Sequence, residues 1–283
     1  MILPADTHVH SEYSWDTGGP TDPTAVGTMA RTCARAVRIG LPAVIFTEHL
    51  DFSGWIAAPE DFLEHERHLI DSNGLMQPPL MDVEGYYRSI ERCRRAFPEL
   101  RILTGVEFGQ PHLDGVAAAA HLDLSDLDRV NGSLHTLPFQ GHRSEPTTLF
   151  RQLAADEVIW TYLAEVPRMV ADGNFEVFTH IDYAVRYWPV EEHGPFDPRP
   201  FEEGFREAMR AIAASGRALE MNTGRPLRPW IPQWWSEEGG RAVSFGSDDH
   251  NTEGLAANFP EATALLEHFG FSPGRRPEDF WTR

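Results

Sequence analysis

Six histidines in this chain share one kind of position, at or just beyond the end of a short apolar run. The stretch DTHVHSEYSWD, residues 6–16, carries His8 and His10 one residue apart, with Asp16 a few positions on. Later runs end in FTEH with His49, GVE with Glu107, GSLH with His135 and FTH with His180. The last ends in GSDDH, with Asp248 and His250. Imidazole nitrogens and carboxylate oxygens are donors for divalent transition metals. A His-x-His spacing on a strand sets both rings on one side, because side chains alternate with period two. Asp248 and His250 have the same spacing. His8, His10, Asp16, His49, Glu107, His135, His180, Asp248 and His250 make nine donors, more than one tetrahedral zinc takes. They suit two or three divalent ions, with a carboxylate such as Glu107 bridging neighbours.

A single histidine after a strand is ordinarily a hydrogen-bonded or surface residue. That reading is kept for His65, His68, His112, His121, His142, His193 and His268, which fall in helices or loops. The other six are set apart by recurring at the same place in five different strands. Glu48 and Asp249, beside the donors, are expected to orient imidazoles.

Donors so far apart in sequence need a scaffold that gathers strand ends. Apolar, β-branched runs alternate with helix-like stretches along the whole chain. Strands are expected over 2–6, 43–47, 102–106, 130–134, 177–179, 218–221 and 242–246. Helical spacing covers 24–39, 83–96, 149–172 and 201–214, with Asp22-Pro23 and Gly40 punctuating the first helix. Seven strands alternating with helices predict an α/β fold with a parallel sheet. In a closed parallel barrel the C-terminal ends of the strands converge on one face, where catalytic groups gather. No linker or repeat divides the chain, so a single domain over 1–283 is expected. A lid-like insertion at about 51–81 and a proline-rich excursion at 188–200 interrupt the rhythm.

Composition narrows the function further. The formal charge is −19, with 43 acidic residues against 24 basic ones, which argues against a nucleic-acid surface. No apolar run approaches the roughly 18 residues of a membrane span, so no membrane partner is expected. The residues MILPADTH have no basic region and no apolar core of signal-peptide length, and a cytoplasmic protein is expected. Cys33 and Cys93 lack CxxC spacing and read as thiols in a reducing compartment. All basic residues are arginine; there is no lysine. A carbamylated-lysine bridge of the amidohydrolase type, the first rival as a C–N hydrolase, therefore cannot form.

The ordered motifs DTHVHSEYSWD, FTEHLDF, LTGVEFG, NGSLHTL, FTHIDYAVRYW, LEMNTGRPLR and SFGSDDH resemble the PHP (polymerase and histidinol phosphatase) family. The resemblance implies a distorted seven-stranded (β/α)7 TIM-like barrel with a metal site at the C-terminal ends of the strands. It implies one metal on His8, His10, Glu107 and Asp248, and a second on Glu107, His135 and His180. The third would sit on Asp16, His49 and His250, Asp16 standing where some relatives have histidine. The cofactors implied are two or three divalent ions, Zn, Fe or Mn. The branch most similar is histidinol-phosphate phosphatase, acting on a small-molecule phosphate monoester. Glu107, Asp248 and His250 are its expected catalytic groups, and Arg186 with one or both of Arg225 and Arg228 its phosphate clamp. Glu220, Glu12 or a carboxylate of the insertion is expected to meet the substrate's ammonium. Other readings are a phosphoesterase acting on nucleotides or oligonucleotides, a polymerase-associated nuclease, and a non-catalytic metal-binding barrel.

Overall fold

A computed structural model of the chain describes residues 3–19 and 27–283. Its main sheet contains β1 (Asp6–Val9), β2 (Ala43–Leu50), β3 (Arg101–Gly109), β4 (Arg129–Ser133), β5 (Val177–Phe178), β6 (Ala218–Asn222), β7 (Ala242–Gly246) and β8 (Trp281–Thr282). Spatial order follows chain order from β1 to β8. The first seven strands pair in parallel, and β8 adds an antiparallel edge to β7. The main helices between them are α1 (Met29–Ile39), α2 (Val83–Ala96), α3 (Pro111–His121), α4 (Ala155–Asp172), α5 (Glu202–Ala214), α6 (Trp230–Glu237) and α7 (Phe259–His268).

The sheet curls until its first and seventh strands meet at their C-terminal ends. The Asp248 N–H donates to the His8 carbonyl at 2.8 Å, and the His10 N–H to the Asp249 carbonyl at 3.0 Å. Thr7 Oγ1 donates to the Phe245 carbonyl at 2.8 Å. Asp6 pins the same seam, accepting from the backbone N–H groups of Ser247 and Ala256 at 2.9 Å each.

Strand alternation decides what lies inside the curl. On β2, Val44 and Phe46 join the large core beneath the helices, as Ile102, Val106 and Phe108 do on β3. The opposite face starts with a small apolar layer of Ala5, Ala43, Ile45 and Leu103. Continuing that face by twos gives Thr47 and His49 on β2, and Gly105 and Glu107 on β3. An apolar floor therefore grades into polar donors towards the strand ends. Below the floor, the Arg129 guanidinium lies 4.1 Å from the Phe280 ring centroid and donates to the Glu278 carbonyl.

The expected strands are all present, with shifts that matter for the site. The first occupies Asp6–Val9 rather than 2–6, so His8 lies within it; residue 2 is outside the described residues. The second and third strands run on to Leu50 and Gly109, so His49 and Glu107 are also strand residues. The first helix begins at Met29 with Thr28 at its N-cap, and the expected Asp22-Pro23 cap lies outside the described residues. Glu12 caps it from a distance, its Oε2 accepting the Met29 N–H at 2.5 Å. The helix expected over 149–172 is split into a Pro146–Leu149 turn and α4, because Ala154 is extended (φ −61°, ψ 142°).

The 51–81 insertion is structured. Its strand Trp55–Ile56 pairs antiparallel with Leu75–Met76 and parallel with His142–Ser144, which itself pairs with Leu137–Phe139. Trp55, Ala57, Phe62 and Met76 form a separate apolar cluster with Trp15, Leu69 and Ile70 against it. Alternation had no purchase on two-residue strands, which is why this second sheet was not expected.

Gly246, the last residue of β7, shows how closely fold and site are joined. A Cβ there would sit 2.5 Å from His8 Cβ and 2.8 Å from Glu220 Oε2. Gly246→Ala must push the His8–Glu220 pair aside. We expect at least a tenfold loss of divalent-metal affinity, measured by chelator competition, with the far-ultraviolet circular dichroism retained. Unchanged affinity would refute this packing constraint.

Candidate metal centre

Glu107 sits at the middle of the donor set and is 1% exposed. Its Oε1 accepts from Ser133 Oγ at 2.5 Å and is 3.1 Å from His135 Nε2 and 2.8 Å from His180 Nε2. Its Oε2 is 3.3 Å from the Nε2 atoms of His8 and His10 and 3.1 Å from His49 Nδ1. The ligand atoms of His8, His10, Glu107 and Asp248 all lie within 4.8 Å of one another, as do those of Glu107, His135 and His180. Those two groups are the first two sets expected from the sequence.

The third group is His10, His49 and His250. Asp16 joins it at the rim, with Oδ2 3.3 Å from His49 Nε2 and 2.9 Å from His250 Nε2. Asp51, left without a definite role by the sequence, also faces His49 and His135. All nine expected donors are thus brought to one place, at the C-terminal ends of the parallel strands.

A second layer aims the rings. Glu220 Oε2 holds His8 Nδ1 at 2.5 Å and is itself buried. This overturns the expectation that Glu220 meets a substrate ammonium: its inward position on β6 commits it to His8. Glu12 is likewise spent on the α1 N-terminus. Ser14 Oγ lies 2.8 Å from His10 Nδ1 and donates to Glu48 Oε2 at 2.7 Å, so Glu48 acts on His10 through a hydroxyl. Asp249 does not orient an imidazole; its Oδ1 accepts from the Asn251 and Gly254 N–H groups.

The charge balance fits divalent cations. Glu107 Oε2, Asp16 Oδ1 and His49 Nδ1 are buried without a hydrogen-bond partner. Burial would raise the Glu107 carboxyl, but the imidazoles of His8, His135 and His49 hold it well below the usual range. Burial opposes a charge on His49 too, yet Asp16 and Glu107 push it up to about 10. The same contest, with Asp16 the main opposing charge, puts His250 at about 9. Burial, reinforced by neighbouring cationic groups, lowers His10 and His180 instead. Protons on some imidazoles thus occupy the electrostatic role that metal ions would take over.

A cavity of about 630 Å³ opens over these donors. Arg186, in the helical turn Tyr183–Arg186 after β5, donates from Nη1 to Asp248 Oδ2 at 2.9 Å. Its Nε and Nη2 are buried and have no hydrogen-bond partner among the described residues. Burial would lower this guanidinium, but Asp248 and Asp182 keep it firmly charged. Arg225 lines the cavity as well. Arg228 does not: it donates from Nε to Asp182 Oδ2 at 2.8 Å, which removes it from the expected phosphate clamp. The cavity lining also includes Glu145, Tyr183 and Tyr187, none assigned a role from the sequence. Glu145 falls between the His142–Ser144 strand and the Pro146–Leu149 turn, with no periodic signal that could have marked it.

The model of the PHP domain family matches residues 6–224. The chain belongs to this family. Among curated PHP relatives, the histidinol-phosphatase of Lactococcus lactis is 24% identical over 94% of this chain and 91% of its own length. A Clostridium acetobutylicum protein named "probable histidinol-phosphatase" is 24% identical over 95% of this chain and 94% of its own. A solved structure of histidinol phosphate phosphatase from L. lactis, complexed with zinc, L-histidinol and phosphate, superposes with a TM-score of 0.73. That match has 24% identity and covers 96% of this chain and 95% of the other.

Two outcomes follow for the PHP centre. Cations must displace protons from His49 and His250, so affinity should rise with pH below about 9, by up to about tenfold per unit for each proton released. Zinc titrations against a competing chelator at pH 6.5, 7.5 and 8.5 will show this, and a flat profile would contradict it. Glu220→Gln should weaken metal binding by about 10–100-fold through loss of the His8 partner. Unaltered affinity in that variant would deny Glu220 its orienting role.

Proposed function

We propose that this PHP protein is a metal-dependent phosphomonoesterase that hydrolyses L-histidinol phosphate to L-histidinol and phosphate in histidine biosynthesis. The observation that carries the reading is a nine-donor cage beside a buried arginine with two unpaired N–H groups. The relatives' names and the ligands of the L. lactis complex support the choice of ester. We read the curled sheet as the family's distorted seven-stranded (β/α)7 barrel in a single domain over residues 1–283, with the 51–81 segment as its lid. Two or three divalent ions, Zn, Fe or Mn, are assigned to the cage as the resemblance implied, the third on Asp16, His49 and His250 with His10 beside them. We take the protein to be cytoplasmic; among the described residues no helix is long and apolar enough to cross a membrane.

Bound divalent ions supply positive charge for the ester and bring the pKa of water towards 7, as seen with zinc. The protein's own groups then account for orientation. Glu107 bridges the donor groups and fixes their spacing. Asp248, anchored to the His8 carbonyl by its own N–H, fixes Arg186 at the cavity wall and leaves its Nε and Nη2 without a partner among the described residues. Planar, paired N–H donors match phosphate oxygens and stabilise charge as phosphorus is attacked. Arg225 extends the clamp across the cavity. As the P–O bond breaks the leaving oxygen takes up the proton given up by the attacking water, relayed at the rim, where His250 is the most exposed of the six imidazoles.

The volume suits a small molecule, and the −19 charge disfavours an oligonucleotide. The test is a steady-state comparison of histidinol phosphate with nucleoside monophosphates, sugar phosphates and p-nitrophenyl phosphate. Histidinol phosphate should lead by at least about a hundredfold in kcat/KM, about 2.7 kcal/mol of transition-state discrimination. An equal or lower value would remove the named substrate. Arg186→Met should lower kcat/KM by about 10²–10³-fold, the scale of a lost transition-state donor, with metal content retained. Full activity in that variant would exclude the proposed clamp.

A further inference from the structure

Glu145, Tyr183 and Tyr187 line the same cavity as the metal donors, Arg186 and Arg225. The Tyr183 ring lies against His135 and His180, with centroids 4.8 and 5.1 Å apart. Seven carboxylates line the cavity, and three of them, Asp16, Glu107 and Asp248, are metal donors. Asp61 is held by Thr148 Oγ1 at 2.8 Å and by Arg151 Nη1 at 2.6 Å. Glu66 accepts the Leu63 N–H at 2.7 Å, and Asp249 accepts two backbone N–H groups. Glu145 is different. It precedes the Pro146–Leu149 turn without capping it, and its carboxyl has no hydrogen bond or ion pair among the described residues.

Its surroundings suit a positive charge. The two tyrosines line the same wall, with their hydroxyls 3.4 Å apart. Aromatic faces attract cations, and a partly desolvated carboxylate does so more strongly. Burial pushes the Glu145 carboxyl up to about 7, against a lowering influence from His135, so a bound cation would draw it back to the ionised form. From the Glu145–Tyr183–Tyr187 wall of the cavity, we infer that Glu145 binds a protonated nitrogen on the organic half of the substrate and so sets specificity for cationic phosphate esters. This rests on the function proposed above and names the residue behind its substrate preference. The shared chemistry is an N–H⁺ donor, which histidinol phosphate can present from its ammonium or its imidazolium.

The experiment compares wild type, Glu145→Gln and Glu145→Asp on four esters. Histidinol phosphate carries both groups, 3-(imidazol-4-yl)propyl phosphate lacks the amine, 2-aminopropyl phosphate lacks the ring, and p-nitrophenyl phosphate lacks both. In Glu145→Gln, kcat/KM for histidinol phosphate should fall at least tenfold further than for p-nitrophenyl phosphate. The difference should appear mainly in KM, and Glu145→Asp should restore part of it. An extra penalty kept by the amine-free ester assigns the imidazolium; one kept by the ring-free ester assigns the ammonium. Equal losses on all esters, or a preference retained by Glu145→Gln, would overturn the inference while leaving the proposed function standing. A wild type that does not prefer histidinol phosphate over p-nitrophenyl phosphate would overturn both.

Discussion

One buried carboxylate organises this molecule. Glu107 has five imidazoles within 3.3 Å of its two oxygens, drawn from β1, from β2 and from the segments beyond β4 and β5. A charge so deeply desolvated is tolerable only with opposite charge around it. The curl of the sheet, the alternation that turns 103, 105 and 107 inward, and the small floor beneath all serve that requirement. If Glu107 were moved, the two donor groups it shares would lose their common oxygen ligand.

The same reasoning explains how a strongly acidic protein would accept the dianionic ester proposed for it. The −19 charge is a property of the whole chain, whereas the site presents cations locally. Arg186 is fixed by Asp248, which is itself fixed by the β1–β7 seam. The guanidinium therefore needs little ordering when an anion arrives, which is the advantage of a pre-organised donor. The structured insertion contributes a wall through Asp61, Phe62, Leu63 and Glu66, with its own apolar cluster to hold it firm.

Much of this was legible before any coordinates. Strand ends carrying His or a carboxylate marked eight of the nine candidate donors, because period-two spacing and position after an apolar run are local features; Asp16 lies beyond them, in the Trp15–Thr17 turn. The second helix was read to the residue, 83–96, since its apolar face is regular and Asp82 caps it. Partners set by tertiary geometry were harder. Glu220 was noticed but misassigned, since only the curl reveals that it faces His8 rather than solvent. Arg225 and Arg228 stand three residues apart in an irregular loop, and no pattern could separate the one at the cavity from the one bound to Asp182. Glu145 and the small second sheet left no periodic trace at all.

The seam between β1 and β7 joins residues 238 positions apart in the chain. Asp248 and His250 follow His8 and His10 by 240 residues, so a nascent polypeptide cannot complete the cage until β7 has been made. Loop closure over such a span is among the slower events of folding. The growing chain thus passes through a long interval in which its metal-binding groups are present but not yet gathered, and cation capture is tied to the final docking of its last parallel strand.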